Sequence, residues 1–250
     1  MDLNLKGRVA LVTGGANGVG REIALALAAE GAAIALNYRS SAEDARKVAA
    51  EIEAAGGRVQ TYAADVADYE AVKGMIAQIT SDFGSLGIVV NNAGLALRNR
   101  FVDTTPDEWK RQIDTCLYGA IHTAHAAASH LEKSGHGRIV SLIGDSSRVG
   151  ESGLSIVAAA RAGVIGLMKS LAREMGRFGV TANTVSLGLV ETAHDKAWVD
   201  ANREKLVKFY PTRRLGQPAD IAPTVALLAS DHGAWTTGQV ISISGGFSMV

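Results

Sequence analysis

The sequence has few of the residues that mark several classes of protein. Cys116 is the single cysteine among 250 residues, so no internal disulfide can form, which agrees with a reducing compartment. The 25 basic and 25 acidic residues cancel, which removes the electrostatic reason to expect nucleic acid or an anionic membrane as partner. No apolar run approaches the roughly 20 residues of a membrane span, and residues 1–6 carry no apolar signal region. We therefore expect a cytoplasmic protein.

Prolines and aromatic residues are also scarce, at four residues and 5% of the chain. No proline- or serine-rich linker, charge run or repeat divides the sequence. Hydrophobic residues make up 47% of the chain, which is enough for a large core. We therefore expect a single domain that spans residues 1–250.

Short β-rich runs alternate with alanine-rich amphipathic stretches along the whole sequence. The runs predict strands at 8–13, 33–38, 58–63, 88–91, 138–143, 181–186 and 240–243. The stretches predict helices at 19–30, 42–55, 69–83, 106–133, 155–177 and 219–229. This alternation is typical of an α/β protein with a doubly wound parallel sheet, here of seven strands flanked by helices on both faces.

A glycine-rich loop at 13–20, with the sequence Thr-Gly-Gly-Ala-Asn-Gly-Val-Gly, joins the first predicted strand to the first predicted helix. Glycines in this context let backbone N–H groups approach a pyrophosphate at the positive end of the helix dipole. The loop therefore predicts a dinucleotide site with contacts from Gly14, Asn17, Gly18, Val19 and Gly20.

Three further motifs follow other predicted strands: Asp65-Val66, Asn91-Asn92-Ala93-Gly94 and Gly188-Leu189-Val190-Glu191-Thr192. Together with the loop, they make the chain resemble the short-chain dehydrogenase/reductase family, in particular its 3-oxoacyl-ACP-reductase-like members. The resemblance covers nearly the whole chain and implies a Rossmann-type sheet. It also implies adenine contacts from Asp65 and Val66, ribose contacts from Asn91, Ala93 and Gly94, and nicotinamide contacts from Gly188 and Thr192.

The end of the second predicted strand, Leu36-Asn37-Tyr38-Arg39-Ser40, bears on cofactor choice. An acidic residue there would accept hydrogen bonds from the ribose 2′-OH, whereas arginine offers a 2′-phosphate a charge-assisted fork. Asn37 is not acidic and Arg39 is well placed, so NADP(H) is favoured over NAD(H). Two observations leave the alternative open: Arg39 could be a solvated surface charge, and Asn17 stands where many NADP-preferring relatives carry a basic residue.

The stretch 119–209 contains no tyrosine. In the resembled family, a tyrosine protonates the substrate oxygen, a serine bonds it, a lysine tunes the tyrosine and holds the nicotinamide ribose, and an asparagine anchors a water chain. Counting along this chain places other residues at all four positions: Cys116, Gly144, Val157 and Arg161. Valine has no transferable proton, and arginine stays charged, so Arg161 can hold a ribose hydroxyl but cannot relay protons.

Four other residues are candidate substitutes for the missing acid: Asp145, Ser146, His194 and Tyr210. Asp145 is more readily interpreted as a turn residue that bonds its own backbone. Ser146 would need a local shift to reach the substrate. His194 and Tyr210 fall in the segment 189–214, which the resemblance implies is a mobile lid over the substrate; its alternative interpretation is a surface excursion.

His122 and His125 are three residues apart on one predicted helix, a spacing that could suit a metal site. No acidic or cysteine cluster joins them, so packing or interface histidines are favoured and no metal is expected.

Three functions remain open at this point. The first is an NADP(H)-dependent oxidoreductase with a non-standard active site, acting on a carbonyl, alcohol or imine. The second is a catalytically inactive subunit that assembles with an active relative through the helices predicted at 106–133 and 155–177. The third and weaker one is an NADP(H)-sensing binding protein. We expect either a homo-oligomer, dimer or tetramer, or a hetero-oligomer with an active relative.

Overall fold

The seven β-rich runs form one parallel sheet. The computed structural model describes residues 2–192 and 196–250, and within them the strands lie in the order β3-β2-β1-β4-β5-β6-β7. Their bounds are β1 (Val9–Val12), β2 (Ala33–Tyr38), β3 (Val59–Ala63), β4 (Ile88–Asn91), β5 (Arg138–Gly144), β6 (Thr181–Leu187) and β7 (Val240–Ile243). The predicted seven-stranded doubly wound sheet is confirmed.

The helices lie on both faces of this sheet. They are α1 (Gly18–Ala29), α2 (Ala42–Ala54), α3 (Tyr69–Phe83), α4 (Pro106–Ile113), α5 (Gly119–Ser134), α6 (Ser146–Val149), α7 (Ser155–Met175), α8 (Lys196–Leu206) and α9 (Pro218–Ala229). The helix predicted at 106–133 is interrupted by a π-helical turn, Asp114–Tyr118, and the short helices α6 and α8 were not predicted.

The two faces of the sheet carry separate apolar clusters. One packs α1, α2 and α9 against the strands, and the other packs α3, α5 and α7. Strands β1 and β4 are buried along their whole length because helices cover both faces, which is why their sequences are continuously apolar. These two strands are neighbours at the point where the strand order reverses, so a ligand crevice is expected beyond their carboxyl ends.

Helix α7 and the turn after it, Ser155–Phe178, are long and apolar enough to cross a membrane by length and composition alone. By that criterion the expectation that no apolar run approaches a membrane span is wrong. A core helix of a sheet protein passes the same test, so one such helix is weak evidence. Buried residues at Val157, Val164 and Met168 follow helical spacing on α7 and pack into the apolar clusters of the fold.

Candidate functional site

The glycine loop is shaped by close contact with the segment that follows β4. A Cβ atom at residue 20 would lie 2.4 Å from both the Asn92 side-chain nitrogen and the Gly14 carbonyl oxygen. Gly14 and Gly18 have φ angles of +60° and +51°, in the left-handed region that favours glycine. These three positions therefore require glycine for steric and backbone reasons.

Thr13 and Asn92 hold the loop in place. The Thr13 hydroxyl oxygen accepts hydrogen bonds from the backbone N–H groups of Asn92 and Ala93, each at 3.0 Å. The Asn92 amide nitrogen donates to the carbonyl oxygens of Thr13 and Gly14, at 3.0 and 3.1 Å. Sequence reasoning missed both residues, although alternation at the end of a strand indicates that Asn91 and Asn92 face opposite sides.

The first turn of α1 fits a pyrophosphate. Asn17 is the exposed N-cap residue, and within the described chain its side chain makes no capping hydrogen bond. The N–H groups of that turn therefore lack a side-chain acceptor, at the end of the helix that attracts anions. A Cβ atom at Gly18 would lie 3.3 Å from the Thr192 methyl carbon, so the segment carrying Gly188 and Thr192 passes over the loop.

Asn37 and Arg39, the two residues considered for the choice between NADP(H) and NAD(H), differ in burial. The Asn37 side chain is buried: its oxygen accepts from the Gly14 N–H at 3.3 Å, and its nitrogen donates to the Ala64 carbonyl at 3.0 Å. Arg39 is 60% exposed and lies 3.8 Å from the Asp65 carboxylate, a long and solvated contact. Asn37 therefore supports the loop, and Arg39 has a free guanidinium face beside it.

Asn91 and Val66, two of the residues predicted to bind the cofactor, have buried side chains that pack inside the protein next to the site. The Asn91 side chain is buried, donates to the Ser141 hydroxyl at 3.1 Å and accepts from the Thr123 hydroxyl at 2.5 Å. Val66 is also buried, and a Cβ atom at Gly119 would lie 2.8 Å from its methyl carbon. Their predicted contacts to ribose and adenine stay predictions.

The positions counted from the family motif come together in the structure. Cys116 and Val157 pack with Ala160 in one small buried apolar cluster. The Cys116 thiol donates to the Leu95 carbonyl at 3.3 Å, so the π-helical turn is joined to the segment after β4. Val157 has no exposed surface. The place expected for an acid is therefore buried and apolar.

Arg161 extends from α7 into the gap between Gly94 and Gly144. Its two terminal nitrogens lie 3.2 and 3.0 Å from where Cβ atoms of those two glycines would stand. The guanidinium also lines a cavity of about 10 Å³, room for about one water molecule. The other polar residues lining this cavity are Thr13, Asn91, Thr115, Cys116 and Ser141.

The residues considered as substitutes for the missing acid lie in different surroundings. Asp145 is buried and one oxygen of its carboxylate accepts from the hydroxyls of Ser186 on β6 and Ser242 on β7. Burial raises the pKa of Tyr210, whose hydroxyl oxygen accepts from the Leu189 N–H at 2.9 Å. The Ser146 hydroxyl lies beside Gly144, with its oxygen 3.4 Å from the Cβ position of that glycine. His194 lies outside the described residues.

The segment 189–214, which the resemblance implies is a lid, contains α8, and its residues Val199 and Tyr210 pack with Leu215 in a small apolar cluster. The Arg98 guanidinium lies 5.8 Å from the centre of the Trp198 ring on α8. Arg98 also pairs with Glu151 at 2.5 Å, so the segments that follow β4, β5 and β6 meet at this point. These contacts bring α8 next to the segments that follow β4 and β5, and its role as part of a lid stays a prediction.

His122 and His125 each use Nδ1 in a contact with another residue of the chain. His122 Nδ1 lies 2.9 Å from the Val66 carbonyl oxygen, and His125 Nδ1 lies 2.8 Å from the Tyr69 hydroxyl. Among the residues that the structure describes, no group of three or more histidine, cysteine or acidic side chains could hold a metal ion.

Comparison with known proteins gives the same family throughout. The family model described as enoyl-(acyl carrier protein) reductase matches residues 14–248. The chain is 42% identical over 240 residues to the 3-oxoacyl-[acyl-carrier-protein] reductase FabG of Staphylococcus aureus, covering 96% of this chain and 98% of that protein. It is 36% identical over 247 residues to the (2S)-[(R)-hydroxy(phenyl)methyl]succinyl-CoA dehydrogenase subunit BbsD of Thauera aromatica, covering 99% of each.

Solved structures agree with these relatives. A dehydrogenase/reductase from Sinorhizobium meliloti 1021 superposes with a TM-score of 0.92 at 35% identity, covering 99% of this chain and 98% of that one. A short-chain type dehydrogenase/reductase from Mycobacterium marinum gives 0.94 at 30% identity, covering 100% and 98%. With the parallel sheet and the glycine loop, these similarities show that the chain is an oxidoreductase of the short-chain dehydrogenase/reductase family.

Proposed function

We propose that this protein is an NADP(H)-dependent oxidoreductase that moves a hydride to or from a carbonyl, alcohol or imine carbon without a tyrosine acid. The observation that supports it most is the contrast within one crevice. The loop held by Thr13 and Asn92 has the shape that a pyrophosphate needs, while Val157 lies in a buried apolar cluster. The bound nicotinamide would supply or accept the hydride.

The cofactor contacts are assigned as follows in this proposal. The first turn of α1 binds the pyrophosphate, and Arg39 binds the 2′-phosphate. Thr192, which passes over Gly18, orients the nicotinamide. Because the Arg39 side chain is 60% exposed, the 2′-phosphate can reach it without displacing a buried partner.

The chemistry then depends on Arg161 and Ser146. Arginine presents five N–H donors and keeps its charge, so Arg161 orients the substrate oxygen and stabilises negative charge on it. The proton must come from water. A positioned general acid contributes roughly a hundred- to ten-thousand-fold, so reduction of an ordinary ketone should be slow here.

The direct test is NADPH consumption with a panel of carbonyl compounds, imines and enones. Multiple turnovers with any member of the panel support the proposal. A Gly20→Val variant, in which the added side chain would collide with Asn92 and Gly14, is the matched control and should neither bind NADPH nor turn over. NADPH that binds the wild-type protein but never turns over across the panel would overturn the proposal.

A second function, a catalytically silent subunit, is favoured by the outer face of α7. Ala159, Ala162, Gly163 and Gly166 are exposed there and offer the small surface that close helix packing requires. The Thauera aromatica relative is itself named as a subunit of a dehydrogenase. Purification from the source organism should then recover a hetero-oligomer, and a homo-oligomer would count heavily against this second function.

A further inference from the structure

Among the described residues, no acidic side chain forms an ion pair with the Arg161 guanidinium. Within residues 2–192 and 196–250 it makes no hydrogen bond either, and its side chain is half-buried. Arginine stays protonated at any accessible pH, so loss of a proton cannot remove the charge. A permanent positive charge therefore remains at this point of the structure.

Two glycines at the carboxyl edge of the sheet fix the position of this charge. Gly94 lies shortly after β4, and Gly144 ends the neighbouring strand β5. A Cβ atom at Gly144 would lie 3.0 Å from one terminal nitrogen of Arg161, and one at Gly94 would lie 3.2 Å from the other. Both distances are shorter than ordinary van der Waals contact, so a larger residue at either position would force the guanidinium to move.

An apolar wall lies next to the guanidinium. Cys116, Val157 and Ala160 form a small buried cluster, and Val157 is one helical turn before Arg161 on α7. The Cys116 sulfur lies 3.9 Å from the same Cβ position at Gly94 that an Arg161 nitrogen approaches. Groups of low polarity screen a charge less than water does, so the field of Arg161 reaches farther into the cleft.

Asp145 follows Gly144 directly in the sequence, but its carboxylate is not paired with Arg161. One of its oxygens accepts hydrogen bonds from the hydroxyls of Ser186 on β6 and Ser242 on β7. The other oxygen is buried and has no hydrogen-bond partner in the described part of the chain. No direct contact from this carboxylate therefore compensates the charge of Arg161.

The strand order indicates which half of a bound dinucleotide comes close to this charge. In a doubly wound sheet, a dinucleotide lies across the crevice at the reversal of strand order, with one nucleotide over each half of the sheet. The reversal is between β1 and β4, and Arg39, the proposed contact of the 2′-phosphate, follows β2. With the adenosine on that side, the nicotinamide lies on the side of β4 and β5, where Arg161 is.

We propose that Arg161 makes this site discriminate between the two redox states of the cofactor, so that it binds NADPH more tightly than NADP⁺. This inference rests on the proposed function. The nicotinamide ring of NADP⁺ carries a positive charge and that of NADPH is neutral, so Arg161 repels only the oxidised form. Two unit charges about 6 Å apart, at an effective dielectric constant between about 20 and about 80, change an affinity by about 3- to 100-fold.

Calorimetric titration with each nucleotide in the absence of substrate tests the inference without turnover. We expect the wild-type protein to bind NADPH about 3- to 100-fold more tightly than NADP⁺. Arg161→Met should bring the two affinities close together, and Arg161→Lys, which keeps the charge, should keep the preference. Lys169→Met, which removes a positive charge at an exposed position of the same helix, is the matched control and should keep the wild-type ratio.

The ratio of the two affinities is the deciding quantity, because a lost ribose contact or a packing defect weakens the binding of both nucleotides alike. Where Arg161→Met does not fold, the polar and uncharged Arg161→Gln replaces it. Equal affinities in the wild-type protein, or an unchanged ratio in the neutral variant, would overturn the inference and leave the proposed function standing. If neither nucleotide binds the wild-type protein, the proposed function fails and the inference fails with it.

Discussion

At Gly20, one methyl group would meet the Asn92 amide and the Gly14 carbonyl at 2.4 Å. Gly20→Ala should therefore lower the free energy of unfolding by about 1–3 kcal/mol, the usual cost of overpacking, and weaken NADPH binding. Gly74→Ala is the matched control because Gly74 is at an exposed position of α3 and a Cβ atom there would meet nothing within 4 Å. That control should raise stability by about 0.5–1 kcal/mol. Urea unfolding of both variants measures the two effects, and equal shifts would refute the steric account.

Arg39 carries the preference for NADP(H) in this account. Arg39→Ala should weaken NADPH binding about 10- to 100-fold, because one charge-assisted contact to the 2′-phosphate is lost, and leave NADH binding unchanged. Arg46→Ala, which removes an exposed arginine of α2, should change neither affinity. Fluorescence titration with both nucleotides gives the values. An equal loss of NADPH and NADH affinity in Arg39→Ala would contradict the assignment to the 2′-phosphate.

Residue types were easier to interpret from the sequence than side-chain directions. Asn37 was singled out because it is not acidic, yet its carboxamide points inward and bonds Gly14 and Ala64. Asn91 was expected to contact the ribose, which stays a prediction, and the sequence did not reveal that its side chain bonds Thr123 and Ser141 in the interior. Which way a side chain points at the end of a strand depends on partners from distant segments, and one sequence does not reveal them.

At the scale of elements, α9 begins with a charged cap. The Asp220 carboxylate accepts two hydrogen bonds from Arg214, at 2.6 and 2.7 Å, and one from the Gln217 N–H at 2.7 Å. These contacts lower the pKa of Asp220 to about 2. Since the unfolded value is about 4, the cap stabilises the fold above pH 4, and this contribution is lost as the pH falls toward 2.

The difference in melting temperature between the wild-type protein and Asp220→Asn should therefore be largest near neutral pH and shrink below pH 4. Thermal unfolding monitored by circular dichroism from pH 7 to pH 2 measures it. Because this pair is on the surface, the experiment should use low ionic strength. A difference that stays constant over the whole range would show that the carboxylate charge has no part in the cap.

In the proposed site, Val157 of α7 packs against Cys116 of the π-helical turn, which leaves no room for a tyrosine at residue 157. Val157 is fully buried against Cys116, so Val157→Tyr should lower the free energy of unfolding by about 1–3 kcal/mol through overpacking and give no gain in ketone reduction. Lys169→Tyr, on the exposed face of α7, is the control for adding an aromatic ring. Urea unfolding and NADPH consumption are the measurements. A gain in turnover from Val157→Tyr alone would contradict this account of the cleft.

The elements of the sheet followed from alternation of apolar runs, but two local features did not. Helix α8 is stabilised by contacts of Val199 with Tyr210 and Leu215, and its sequence lacks the clean apolar period that would indicate a helix. The π-helical turn at Asp114–Tyr118 adds a residue to one turn, which places Cys116 against Leu95. Periodicity cannot reveal either, because both depend on tertiary contacts.

At the scale of the whole molecule, the residues proposed to bind the cofactor and those proposed to do the chemistry follow the central strands β1, β4 and β5. The βα alternation predicted the parallel sheet and the glycine loop after its first strand, whereas the strand order that locates the crevice came from the structure. The gap between Gly94 and Gly144 that holds the Arg161 guanidinium was not predicted, because it is formed by three segments far apart in the chain.

Native mass spectrometry of the protein purified from its source organism tests the central claim most directly, because it weighs the assembly together with any retained nucleotide. We predict one NADP(H) for each copy of this chain, and the same spectrum shows whether a second kind of chain is present. An assembly that carries NAD(H) would contradict the assignment of Arg39. One that retains no nucleotide and takes up none when NADPH is added would contradict the claim that this chain keeps a working cofactor site.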